Sequence, residues 1–338
     1  MARFRLRHAE RGSAMVMRFD VRNGDADGLC AAVQWRLHRP GAVRLVTGLK
    51  RDIALLQDVP ARAGDEVNVF NISMLRNRAG LLDLLDQGAH VRYFDHHAAG
   101  EVPRHPHLEA HIDEASAVCT RLLVDRHLGG ACRAWALVGI YGDNMAAVAD
   151  RLALAGGFEP GDCAGLRRLG MLINYNAYGE HEQDVRIAPR LLYGLMVRYR
   201  DPRDMLAHEG IVDEIDAVRH ADLRQAVGTM PIWRGAGGSV RALPDAPWSR
   251  RVQGCLANEL ASSEPELAHA VLVARDDGYV VSVRAPLARP DGAHALCSRF
   301  GGAGRARAAG IDSLPRDELP RFIEAFAAAS WGSRVAMP

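Results

Sequence analysis

Asp95, His96 and His97 leave the run VRYFDHH together, three groups able to bind a metal or move a proton. The preceding Val91, Tyr93 and Phe94 predict a buried strand, so the three side chains emerge at its carboxyl end. Earlier, Asp25 and Asp27 sit two residues apart in NGDADG, between the first expected strand at 17–22 and the helical pattern LCAAVQWRLHR. Two carboxylates at a strand-to-helix turn can converge on one cation, and Gly24 and Gly28 let backbone approach it closely. The same aspartates would equally cap the helix. Asn71 ends the run EVNVF, and Asp143 follows the apolar segment RAWALVGIYG, where it would face the same crevice or cap the helix over 146–155.

These groups need a scaffold that brings strand ends to one side. Strands expected at 17–22, 42–47, 66–70 and 91–95 alternate with helical segments, among them a helix-like stretch opening at Leu49–Asp52 and running through Leu56. This predicts a parallel α/β sheet with right-handed crossovers, whose ligands lie outside the carboxyl strand ends. His105, His107 and His111 read as loop residues. Helical pattern then dominates to about residue 235, and Gly235-Ala236-Gly237-Gly238 is the sharpest break. Beyond it strand and helix patterns mix, with Asp276-Asp277-Gly278 marking a hairpin. FGGAGRARAAG at 300–310 reads as a glycine-rich phosphate cradle before a last helix over 316–328. The expected division is a tail at 1–14, a parallel-sheet domain at 15–185, a helical linker at 186–235 and a smaller α/β domain with a mixed sheet at 236–338.

The 338 residues are 48% hydrophobic and 25% charged, with a formal net charge of +1. That balance fits a globular chain of about two domains and offers no global attraction to nucleic acid, so any phosphate site is local. Six dispersed cysteines form no CxxC pair, which predicts reduced thiols. No apolar run approaches the roughly 18 residues of a membrane span. The expected location is the cytoplasm, with no membrane partner.

Asp25, Asp27, Asn71, Asp95, His96, His97 and Asp143, in this order on successive element ends, resemble the motifs of the DHH phosphoesterase superfamily. The later VSVR strand and FGGAGRARAAGI stretch are similar to its DHHA1 domain. The resemblance spans roughly residues 17 to 330 and includes RecJ-like, oligoribonuclease and exopolyphosphatase-like members. It implies a hydrolase with up to two Mn²⁺ or Mg²⁺ ions: Asp27, His96 and Asp143 would hold one metal, Asp25 the other, and Asn71 would bridge them. Asp95 would orient the histidines, and His97 would contact phosphate or leaving group. Arg284, Arg305, Gly301, Gly302 and Gly304 would hold the rest of a small phosphorylated or short nucleic-acid substrate. A homodimer is left open.

The chain departs from the family pattern at Asn71, where an Asp is usual, at Val21, where some relatives carry His, and at Ala303 and Arg305. A catalytically impaired protein that binds a nucleotide or phosphate ligand as a sensor is therefore the alternative expectation.

Overall fold

The computed structural model describes residues 16–115 and 117–333; the expected tail at 1–14 lies outside them. The first sheet holds β1 (Arg18–Arg22), β2 (Arg44–Thr47), β3 (Glu66–Phe70), β4 (His90–Asp95) and β5 (Leu108–Ile112), all parallel, in the order β2-β1-β3-β4-β5. This is a doubly wound order, and its switch point lies between β1 and β3.

Helices α1 (Ala26–His38) and α2 (Arg78–Asp86) cover opposite faces. Alternate strand residues decide which face is which. Phe19, Val21, Val67, Val69, Val91 and Tyr93 pack against Leu81, Leu84 and Leu85 of α2. Phe70 and Phe94 turn the other way, onto Leu29 and Trp35 of α1.

Strand β5 falls in the stretch expected to be loop, and His111 lies on it. The strand is five residues long and at the sheet edge, so the alternation of Leu108, Ala110 and Ile112 with Glu109 and His111 is too brief to stand out from the proline- and histidine-rich stretch before it. The helix-like stretch through Leu56 is instead turn followed by one 3₁₀ turn at Leu56–Asp58. After β5 come α3 (Thr120–His127), α4 (Arg133–Gly142), α5 (Ala146–Ala155), α6 (Pro160–Tyr175), α7 (Pro189–Met196), α8 (Pro202–His208) and α9 (Ile211–Val227). Helix α4 is fully apolar on its buried side and crosses α1 and α6 in the same core.

The second sheet contains β6 (Trp233–Gly235), β7 (Gly238–Leu243), β8 (Ala268–Ala274), β9 (Gly278–Arg284), β10 (Ala303–Arg305) and β11 (Ala308–Pro315), ordered β10-β11-β9-β8-β7-β6. It is mixed, since β7 and β8 are parallel and the other pairs antiparallel. The Gly235–Gly238 break is the turn of the β6/β7 hairpin. Helix α10 (Pro247–Ser263) lies between this sheet and α9, and it joins the core shared with α1, α4 and α6. Helices α11 (Ala293–Ser298) and α12 (Leu319–Ala327) cover the other side, where Phe322 and Phe326 are buried. The 300–310 stretch is a turn and the β10/β11 hairpin, not a loop opening a helix. Its glycines serve close backbone packing: a Cβ on Gly302 would meet the Gly310 oxygen at 2.3 Å, and one on Gly304 the Ala309 Cα at 2.4 Å.

Candidate active site

Asp25 follows β1 and caps α1, its Oδ1 accepting from the Gly28 amide at 3.0 Å. Asp27, two residues later, does not cap its own helix. It is fully buried and reaches the start of α3, where Oδ1 accepts from the Arg121 amide at 2.8 Å and Oδ2 from the Thr120 amide at 3.1 Å. A carboxylate at a helix N-terminus is well placed against the dipole and the free N–H groups. Gly28 serves packing as well, since a Cβ there would lie 2.4 Å from Asn23 Oδ1.

Asn71 follows β3 in the left-handed region, with φ 58°, which Asn tolerates better than most residues. Its Nδ2 donates to Asp25 Oδ1 at 2.9 Å and to Asn23 Oδ1 at 3.2 Å, while its Oδ1 accepts from the Thr120 hydroxyl at 3.0 Å. Asn71 therefore bridges Asp25 to the start of α3.

Asp95 ends β4, fully buried. Its Oδ1 accepts from His97 Nδ1 at 2.7 Å, and its Oδ2 has no partner. It orients His97, not His96. The hydrogen bond to Asp95 raises the His97 pKa above its ordinary value against the opposing effect of burial. With Nδ1 anchored and the side chain 46% exposed, the Nε2 of His97 is the group the crevice offers to solvent. His96 turns inward, its Nε2 3.4 Å from Asp27 Oδ2.

Asp143 is the C-cap residue of α4 and does not cap α5. Between it and Asp27 lies Arg121, a residue that motif reasoning passed over as part of a helix. Its side chain is fully buried, with Nη1 3.1 Å from Asp27 Oδ1 and 3.0 Å from Asp143 Oδ2. Burial pushes the Asp143 carboxyl up, but Arg121 and then Lys50 more than offset this and hold it below the usual carboxylate range. The available signal was a cation in the first turn of α3, where the helix dipole disfavours positive charge unless an anion meets it.

Lys50, also outside the expected metal set, places Nζ 3.4 Å from Asp25 Oδ2, 3.4 Å from Asn174 Oδ1 and 4.9 Å from the centre of the Tyr178 ring. Burial lowers its pKa, yet Tyr178, Asp25 and Asp143 together hold it above the ordinary lysine value.

On the second sheet, Arg284 donates from Nε to Asn258 Oδ1 at 2.7 Å and from Nη1 to Ser282 Oγ at 3.0 Å. Arg305 is exposed on β10, and Gly301 adopts φ 74° in the turn before it. Among the described residues, one group of three ligand-bearing side chains gathers its ligand atoms within 4.8 Å: Glu109, His111 and His127, at the β5 edge of the first sheet. It is a possible metal site away from the motif residues. The expected set of Asp27, His96 and Asp143 does not form such a group.

No protein-family model matches the chain, and no curated protein does. Among solved structures, the pGpG-specific phosphodiesterase PggH from Vibrio cholerae aligns with a TM-score of 0.51 at 16% identity, covering 91% of this chain and 97% of that one. An exopolyphosphatase-related protein from Bacteroides fragilis aligns at 0.48 and 11% identity, covering 92% and 90%. The fold comparison rests on the first of these. With its two α/β sheets, the chain shares the fold of that phosphodiesterase.

Proposed function

We propose that the chain is a phosphoester hydrolase acting on a small phosphodiester or phosphoanhydride, such as a short oligonucleotide, a nucleotide phosphate or polyphosphate, in the cytoplasm. The observation that carries this reading is the gathering of Asp25, Asn71, Asp95, His96 and His97 with Asp27 and Asp143 at the carboxyl edge of β1, β3 and β4. His97 is the group suited to proton transfer. Asp95 steadies its ring through Nδ1, so Nε2 can give a proton to a leaving oxygen or take one from water. Lys50 brings positive charge to the same edge, and Arg284 and Arg305 are the candidates for the remote phosphates, where each charge-assisted bond contributes roughly 1.5–3 kcal/mol.

Two manganese ions, which the family resemblance implies, do not fit the donor set as it stands. Arg121 already meets Asp27 and Asp143, and Lys50 and the Asn71 amide already meet Asp25. Those same contacts favour a second reading, in which the protein retains a phosphorylated ligand as a sensor without turning it over.

A panel of bis(p-nitrophenyl) phosphate, a nucleotide bisphosphate, dinucleotides and polyphosphate, with manganese or with EDTA, separates the two. Turnover of one member that His97→Ala lowers by about 100-fold or more is the expected result. Calorimetric binding with no turnover establishes the sensor instead. Neither binding nor turnover across the panel ends both readings.

A further inference from the structure

We infer that Arg121 is a fixed cation built into the place between Asp27 and Asp143, so that its guanidinium replaces the metal ion this carboxylate pair would otherwise hold. The inference rests on reading the crevice as a DHH-type site, but not on whether that site turns substrate over.

Three observations carry it. The first is position: one nitrogen, Nη1, lies 3.1 Å from Asp27 and 3.0 Å from Asp143, bridging carboxylates that arrive from α1 and from the end of α4. The second is that Asp27 is already saturated. Its two oxygens accept the Thr120 and Arg121 amides, and His96 approaches Oδ2 as well. An incoming cation would have to displace donors fixed in the backbone of α3.

The third is that the fold makes room for this side chain and no other route out. At Gly139 of α4, a Cβ would lie 2.2 Å from Arg121 Cδ and 3.0 Å from the Ala26 oxygen, so the arginine stem occupies the gap that the glycine leaves where α1 and α4 cross. Arg121 has no exposed side-chain surface, and its Nε is buried without a partner. Withdrawing it would require α1, α3 and α4 to part. Lys50 differs here: its side chain is 31% exposed and its Nζ stands 3.4 Å from Asp25, so it can swing aside. The two positions are therefore unequal. A cation added from solution can compete with Lys50 at Asp25, and it cannot compete with Arg121 at Asp27 and Asp143.

The chemistry of the exchange is a matter of charge. Two carboxylates facing one another in a buried place need a cation to stay ionised, and a guanidinium supplies one with fixed geometry and no dependence on metal supply. It does not supply a bound water whose pKa is lowered, which is what an ion there contributes to hydrolysis.

The test is manganese binding by the full chain, followed by the free-ion electron paramagnetic resonance signal and by thermal unfolding. The native protein is expected to hold no manganese that Asp27→Asn removes, and its Tm should be the same in 1 mM manganese as in EDTA, apart from any weak effect that Lys50→Ala enhances or any shift that Glu109→Gln abolishes. Arg121→Ser should melt lower than native in EDTA and recover several degrees in manganese, as a new site about 100-fold below the added concentration would produce. An Arg121→Ser chain that folds only with manganese supports the inference equally. Micromolar manganese on the native protein, lost in Asp27→Asn, overturns it whatever the variant does, and so does an Arg121→Ser chain as stable as native in EDTA and indifferent to metal. Should the variant not fold under any condition, the native titration decides alone. Absent turnover would count against the hydrolase reading and leave this result untouched.

Discussion

Two rows of polar residues cross the first sheet, and they are built to different ends. The inner row runs in register from Asp20 on β1 to Asn68 on β3, Arg92 on β4 and Glu109 on β5. Arg36 of α1 closes one end with bonds of 2.7 and 2.8 Å to Asp20, Asn68 Nδ2 donates to Asp20 at 3.1 Å, and Arg92 and His111 take the Glu109 carboxylate at 2.8 and 2.7 Å. The outer row, at the strand ends, holds Asp25, Asn71, Asp95 and the two histidines. There Asp95 Oδ2 and Arg121 Nε stay unpartnered in the interior, and His97 turns its free nitrogen to solvent. Buried charge that is fully paired specifies a fold; buried charge left partly open awaits something. The difference is consistent with the proposal that the outer row is the site.

The largest expected effect should be shared by both rows and so would not tell them apart. Asp27→Ala strands the Arg121 charge and two amides, and Asp20→Ala strands Arg36; each is expected to cost about 3–5 kcal/mol in urea unfolding. Ligand binding then separates them, because Asp20→Asn should leave it unchanged in whatever fraction folds. An Asp27→Ala protein as stable as native would mean that Arg121 finds another partner and the outer row is loosely built.

Gly139→Ala comes next. The added Cβ must displace the Arg121 stem at 2.2 Å, an overpacking expected to cost about 1–3 kcal/mol. Gly237, with open space around it, serves as the control, and Gly237→Ala should shift unfolding by less than about 0.5 kcal/mol.

Asn71→Asp sharpens the outer row in another way. It exchanges an amide donor 2.9 Å from Asp25 for a second carboxylate, so the variant should melt lower than native in EDTA and gain stability in manganese, where the native Tm is expected not to respond. An unchanged Tm in EDTA would show that Asn71 contributes no hydrogen bond of consequence. On the second sheet, Arg305→Ala should leave stability within about 0.5 kcal/mol while raising KM for a phosphorylated substrate tenfold, equivalent to about 1.4 kcal/mol.

The smallest effect is a pH dependence at the edge of the inner row. Burial raises the Glu109 carboxyl, but hydrogen bonds from Arg92 and His111 more than offset this and hold it near about 2. A depressed carboxylate contributes stability above its unfolded pKa and loses it as pH falls through the folded value. The side chain is 43% exposed, so screening keeps the effect small. Glu109→Gln should flatten the native acid limb slightly below pH ~4. An unchanged limb would mean that the Arg92 contact contributes nothing in water.

Much of the frame was legible in the chain because β1, β3 and β4 carry β-branched and aromatic residues in short strand-like runs (RFDVR, EVNVF, HVRYFD) that alternate with helical pattern, and because polar groups cluster just past their ends. Strand β5 was not legible, since the alternation in LEAHI spans only five residues and follows a proline- and histidine-rich turn. Arg121 was missed, and Lys50 was legible only as a loop cation that could meet an anionic substrate or simply be solvated, for a different reason. Their roles depend on which carboxylate each meets across 94 and 25 residues of chain, and spacing along a sequence does not give that. The FGGAGRARAAG stretch is a turn and a hairpin where composition suggested a loop opening a helix, and Gly302 and Gly304 are packed closely in it.

The most direct test of the outer row as the site is a calorimetric titration of the four phosphorylated probes in EDTA against native protein, His97→Ala and Glu109→Gln. At least one probe should bind the native chain, bind His97→Ala at least tenfold more weakly, and bind Glu109→Gln as tightly as native. Equal affinity in native and His97→Ala protein, loss in Glu109→Gln, or no probe binding at all would contradict the account.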